Sequence, residues 1–136
     1  MKFIDSFTDK DSRMSHVFMQ HRGYVYEGIS RCNPDDEWSE FTGCKFAELR
    51  AILKALEDEY KEEKVKVDAI SQFVTAIEQY KNFNNEDASA KAMYRQYNRR
   101  VKRLEELKSD ITDVKAVIKA RLKSLETLEK KKSKES

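Results

Sequence analysis

The sequence predicts a mainly α protein: an N-terminal β-hairpin followed by a long antiparallel two-helix coiled-coil hairpin. Three observations carry this expectation. The three glycines and the one proline (Gly23, Gly28, Pro34 and Gly43) lie within the first 43 of 136 residues, so no breaker interrupts the rest of the chain. Beyond them, two sets of apolar residues recur at three- and four-residue spacing on either side of an asparagine-rich break. Charged residues make up 38% of the chain and hydrophobic ones 39%, a balance that suits narrow helix seams better than a thick core. The expected organisation is a hairpin and turn segment over 1–43, a helical hairpin over 44–129 and a basic disordered tail over 130–136.

Residues 1–13 are polar with scattered aromatics (Phe3, Phe7) and read as a loose or packed-down arm. Ser15–His21 and Tyr24–Cys32 have strand composition, rich in aromatic and β-branched residues. Arg22-Gly23 between them offers a turn, giving a β-hairpin near 15–32. Asn33-Pro34 suits a turn or the start of a short helix, with Trp38 and Phe41 expected to pack it onto the hairpin. Gly43 then opens a helix covering most of 44–81. Its seam is Phe46, Leu49, Leu53, Leu56, Tyr60, Val67, Ile70, Val74 and Ile77, with Glu63 the one polar residue at a heptad site. Asn82–Asp87 form the break, where Asn85 could cap the next helix. The return helix, over most of 87–129, carries Met93, Tyr97, Val101, Leu104, Leu107, Ile111, Val114, Ile118, Leu122, Leu125 and Leu128. A short connection between two long amphipathic helices makes them antiparallel neighbours. From Lys130 the tail reads as frayed.

The charge is uneven. Residues 1–63 hold nine Lys/Arg against fourteen Asp/Glu, and residues 64–136 hold eighteen against eleven. Such polarity suggests different partners, or different faces of one partner, for the two halves. No apolar run reaches the length of a membrane span. The start, Met1–Ser6, lacks the apolar stretch of an export signal, so a cytoplasmic chain with reduced thiols or metal-bound cysteines is expected.

Catalytic motifs are missing: there is no glycine-rich phosphate loop and no nucleophile elbow. The acidic runs Glu57-Asp58-Glu59 and Glu62-Glu63 lie on a lysine-rich helix face and read as solvated. The expectation is a protein that is not an enzyme. His16, His21, Cys32 and Cys44 are all the histidines and cysteines of the chain. Four such ligands could hold a structural zinc ion. Against this, no C-x-x-C or H-x-x-x-H spacing is present, and His16 and His21 are an odd number apart, which puts them on opposite faces of a straight strand. Two ordinary strand histidines and two packed cysteines explain the same residues.

Residues 88–104 carry Lys91, Arg95, Arg99, Arg100, Lys102 and Arg103 with no acid. In an antiparallel hairpin this tract faces 65–80, where only Asp68 and Glu78 are acidic, so its charge is expected to be largely unpaired and available to phosphates or acidic protein. Lys91, Tyr94, Arg95, Arg99, Arg100 and Arg103, with Phe83 at the tip, are the candidate partner-binding residues. Asp35, Asp36, Glu37 and Glu40 are the alternative, an acidic face able to mimic nucleic-acid phosphates.

The run Gly28-x-Ser30-x-Cys32-x-Pro34-x-Asp36, followed by Glu40, Gly43, Ala47 and Arg50-Ala51, resembles a motif in small proteins of Gram-positive phages and prophages. There a strand ends in a C-x-P-x-D turn and leads into a helix bearing A-x-x-R-A. The residue types fit such a junction, since Gly28, Ala47 and Ala51 permit close approach of helix and hairpin. The resemblance implies a phage origin. Small charged phage proteins of this kind include anti-CRISPR inhibitors, which bind a type II CRISPR nuclease and block nucleic-acid loading. The expected partner is then a host protein, with nucleic-acid contact through the basic tract. The alternatives are a nucleic-acid-binding accessory protein and a self-associating structural coiled coil.

Overall fold

The computed structural model describes residues 1–32, 39–80 and 87–135, with side chains through residue 125 except that of Glu40. Three strands, β1 (Lys2–Asp9), β2 (Met14–His21) and β3 (Tyr24–Arg31), precede two helices, α1 (Glu40–Glu78) and α2 (Ala88–Glu135). Met1–Leu56 and Ile111–Ser136 form one compact unit, and Glu57–Asp110 form a second. No described helix is long and apolar enough to cross a membrane.

The strands make an antiparallel sheet in the order β1-β2-β3. The hairpin expected near 15–32 is β2–β3, closed by His21↔Tyr24. Arg22 (φ 54°) and Gly23 (φ 82°) both lie in the left-handed region. That is the geometry of a two-residue I′ turn, whose twist matches that of the flanking strands. The arm expected over 1–13 is instead the third strand. Its pairing with β2 shifts register between Phe3 and Asp5, a bulge that breaks the two-residue alternation by which strands are recognised. At the β1–β2 connection the Asp9 carboxylate accepts from the Asp11 amide at 3.0 Å. This bond, with help from Ser12, holds the Asp9 carboxyl below its ordinary value. The turn is therefore firmest with Asp9 ionised and loosens as pH falls through that lowered value.

One face of the sheet is closed by α1. Ser15, Val17 and Met19 alternate as buried residues of β2, and across from them β3 presents Ser30, Gly28 and Tyr26. The helix meets this face through a ridge of small residues, Gly43, Ala47, Ala51 and Ala55, four apart and so stacked along one side. The three alanines are fully buried. A Cβ on Gly28 would collide with the Ala47 carbonyl oxygen and lie 2.5 Å from the Ala51 amide nitrogen. A Cβ on Gly43 would lie 2.5 Å from Ser15 Oγ. Val17, Met19, Ala47 and Ala51 form the core cluster, with Ile52 packed against it. Arg50 Nη1 donates to the Ile29 carbonyl and Lys54 Nζ to the Glu27 carbonyl, both at 2.7 Å. Two cations of α1 thus occupy carbonyls of edge strand β3.

Helix α1 begins earlier than Gly43. Ser39 is its N-cap: its Oγ accepts from the Thr42 amide at 3.3 Å and its carbonyl from Gly43 at 2.9 Å. Asp87 caps α2, accepting from the Ser89 amide at 3.1 Å. Phe41, expected to pack on the hairpin, is 71% exposed and lies under Lys45 Nζ. Trp38, Asn33-Pro34 and Asn85 lie outside the described residues. Helix α2 continues to Glu135, through the tail read as frayed from Lys130. Lysine and glutamate are good helix formers, and cations suit a helix C-terminus.

The expected seams match the burial. Phe46, Leu56, Val67 and Val74 are buried on α1, Leu107 is fully buried on α2, and the remaining described seam residues are half-buried. Leu122 is the exception, exposed at 43%.

Gly28→Ala should cost about 3 kcal/mol or more, because the added methyl meets helix backbone that cannot rotate away. Gly43→Ala meets only the Ser15 side chain, so it should cost less and recover in part when combined with Ser15→Ala. Urea melts of the three variants check this; equal losses for Gly28→Ala and Gly43→Ala contradict it.

Candidate binding face

The basic tract lies on α2 within the unit Glu57–Asp110. Its seam positions Met93, Tyr97, Val101 and Leu104 point to one side, so the cations between them distribute around the rest of the circumference. Arg100 flanks the seam. Arg103 and Gln96 lie further round the same flank, and Arg99 sits nearly opposite the seam. Arg95 and Lys102 share that outer side with Arg99, and all three are exposed.

The flanking cations are paired across to α1. Arg103 Nη2 donates to Glu59 Oε1 at 2.8 Å, and Arg103 also reaches Glu106 at 3.6 Å. Arg100 Nη1 lies 3.5 Å from Glu63 Oε2, and Lys66 lies 3.6 Å from the other oxygen of Glu63. Tyr94 donates its hydroxyl to Glu78. That bond, with the nearby carboxylate charge, raises the Tyr94 pKa above the ordinary phenol value. The hydrogen bond to Glu59 likewise raises the Arg103 pKa and outweighs burial, which acts the other way. Lys91 also has a partner.

These contacts correct two expectations. The charge of the tract is not left largely unpaired, because Arg100, Arg103, Tyr94 and Lys91 are engaged within the protein. The acids that engage the two arginines, Glu59 and Glu63, lie outside the window 65–80 expected to face the tract. Glu59, read as a solvated carboxylate, is only 6% exposed. A carboxylate so placed needs a charge-assisted partner, and the Arg103 guanidinium supplies one. The outer stripe Arg95, Arg99 and Lys102 remains unengaged among the described residues.

An open groove of about 360 Å³ runs along the flank, lined by Glu63, Gln96, Arg99, Arg100 and Arg103. Three arginines and one glutamine line it beside one glutamate, and the surface they turn to it is mainly the carbon of their stems. Phe83 and the acidic candidates Asp35, Asp36 and Glu37 lie outside the described residues, as does the side chain of Glu40.

The expected zinc ligands do not converge. Among the described residues no three His, Cys, Asp or Glu side chains form a group able to hold a metal ion. His16 pairs with Ile29 and Phe7 in register, on the sheet face away from Ser15 and Val17. Its Nδ1 lies 2.6 Å from Glu27 Oε1, and its ring lies 5.6 Å from that of Phe7. β2 pairs with β3 without a bulge, so His21 projects from the opposite face. Cys44 belongs to α1, on the other side of the sheet from His16. Cys32, whose amide donates to the Arg13 carbonyl, and Cys44 are not joined in a disulfide.

No family model matches the chain, and neither a curated protein nor a solved structure does.

Arg103→Ala should cost about 2 kcal/mol, because it strands the buried Glu59 carboxylate. Glu59→Leu combined with Arg103→Leu should recover most of that loss, while Arg95→Ala should stay within about 0.5 kcal/mol of the parent. A double-mutant cycle by chemical denaturation reads the coupling directly; additive losses would show that the two residues do not act as a pair.

Proposed function

We propose that this protein is a non-catalytic binding protein that engages an anionic surface of a partner macromolecule through the outer face of α2. The observation that carries this reading is the acid-free stripe Arg95, Arg99 and Lys102, exposed and without an ion-pair partner among the described residues, beside arginines that the protein neutralises for itself. Exposed cations with no internal role are inexpensive in stability and strengthen encounter with an oppositely charged surface. An antiparallel coiled coil of α1 and α2 is the scaffold in this reading. It is supported by partners that run in opposite chain directions, from Glu59 with Arg103 to Glu78 with Tyr94.

The phage-type motif at 28–51 makes the reading more specific. The partner is a host nucleoprotein machine, and the protein acts in the bacterial cytoplasm as an anti-CRISPR that binds a type II nuclease and blocks nucleic-acid loading. The close approach of Gly28 to Ala47 and Ala51 supports the physical sense of that motif.

Arg95→Glu combined with Arg99→Glu should leave helical content and melting temperature nearly unchanged. It should weaken binding to purified type II nuclease at least tenfold, or about 1.4 kcal/mol, and relieve inhibition of target cleavage in parallel. Titration by calorimetry and a cleavage assay are the measurements. Full inhibition by this folded variant would move the site off α2.

A further inference from the structure

We propose that the groove on the flank of α2 is a phosphate-binding site that takes the phosphodiester backbone of a single-stranded nucleic acid, with Arg99 and Gln96 as the contacting residues and Arg100 and Arg103 as the wall. This deepens the reading of the outer face and rests on it, since it names the chemistry that the face recognises.

The residues that line the groove carry a net positive charge at their ends, above walls that are mainly side-chain carbon. Of its five lining residues three are arginines, one is a glutamine and one is Glu63. The single carboxylate does not leave the groove neutral, because Glu63 is already shared between Arg100 at 3.5 Å and Lys66 at 3.6 Å. Arg103 is held by Glu59 at 2.8 Å. These pairs fix the two guanidiniums in place while leaving donors of each uncommitted, because a guanidinium carries five N–H groups and a carboxylate takes at most two of them. Pre-positioned arginines lose little side-chain freedom when an anion arrives. Arg99 has no partner among the described residues and keeps its whole fork for the ligand. Gln96 lies one turn before Arg100 and adds a neutral donor.

The shape favours a strand over a compact anion. The groove is open, and the cations continue beyond it along the outer side at Arg95, Arg99 and Lys102. Positions four apart advance about 6 Å along the axis, a step comparable with that between neighbouring phosphates of an extended strand. An acidic peptide would meet the same forks, because a guanidinium grips carboxylate and phosphate alike; the regular axial step of the cations is what points to a strand of phosphates. A single strand also needs no wide concave surface, only a charged track.

The test uses the full chain and three probes: a mixed-sequence 20-nucleotide RNA, the same sequence as DNA, and polyglutamate of equal charge. Fluorescence anisotropy is measured across a salt series. The expected result is binding of the oligonucleotides that weakens linearly in log affinity against log salt, with polyglutamate at least tenfold weaker. Arg99→Gln should reduce oligonucleotide affinity at least tenfold and lower the salt slope by about 0.7 for each phosphate that is no longer neutralised. Arg99→Lys should keep the slope and still lose affinity, because charge is retained and the bidentate fork is not. Thermal melts of both variants should match the parent, since Arg99 is exposed. Polyglutamate binding as tight as RNA overturns the proposal in favour of an acidic protein partner. An Arg99→Gln variant with parental affinity and slope overturns it outright. Should oligonucleotide binding be missing while the Arg95→Glu, Arg99→Glu variant still releases the nuclease, the phosphate assignment fails and the outer face remains a protein-binding surface.

Discussion

The contact on which the N-terminal architecture depends is the backbone-to-backbone approach of β3 and α1 at Gly28. With no side chain there, the strand comes close enough to α1 that even a methyl group would overlap the Ala47 carbonyl. That proximity dictates the rest of the junction. Only small residues can occupy the helix ridge, hence Gly43, Ala47, Ala51 and Ala55. Longer side chains must leave to the sides, and two of them, Arg50 and Lys54, are then near enough to bind carbonyls of β3. An edge strand with occupied carbonyls is a poor template for further pairing. One glycine therefore links the core and the covering of β3. The result is a thin core, with Val17 and Met19 as its larger members.

The second unit is organised by charge as much as by apolar contact. Burying Glu59 costs desolvation that a single ion pair seldom recovers in full. What such a pair supplies is uniqueness. An apolar seam repeating every three or four residues tolerates a slip by one heptad, whereas Glu59 and Glu63 meet Arg103 and Arg100 in one register only. A slip would leave a buried carboxylate without its cation. The polar heptad site at Glu63 is therefore part of how the helices find their alignment.

Much of this was legible in the sequence, and the failures have physical causes. The hairpin showed because Arg22-Gly23 sits between two aromatic-rich runs, and the seams showed because burial follows the three-four spacing. Gly28, Ala47 and Ala51 could be singled out as a close-approach set before their geometry was known. Strand β1 stayed hidden because its bulge spoils the alternation and its residues are mostly exposed, so burial leaves little mark on its composition. The start of α1 was placed at Gly43 because Ser39, its cap, competes locally with other plausible capping residues. Glu59 was misread because it neighbours the seam residue Tyr60 without occupying a heptad site. Its partner depends on the register across the helix connection, and a local pattern does not encode that register.

The same register explains why the basic tract divides into two kinds of cation. A helix advances about 100° per residue, so consecutive arginines such as Arg99 and Arg100 cannot share an environment. Arg100 falls beside the seam, where a carboxylate from α1 claims it; Arg99 falls outside, where nothing described does. Cations that hold the helices and cations that face outward are thereby different residues of one segment. Charge removed from the flank disturbs the alignment of the helices; on the function proposed above, charge removed from the outer side weakens only the partner contact. A tract of lysines could supply the same net charge. It could not supply both the fork that grips Glu59 and a free fork one turn away with the same geometry. Arginine at 95, 99, 100 and 103 thus suits a surface that holds its own fold and, on the proposed function, an anionic partner with neighbouring side chains.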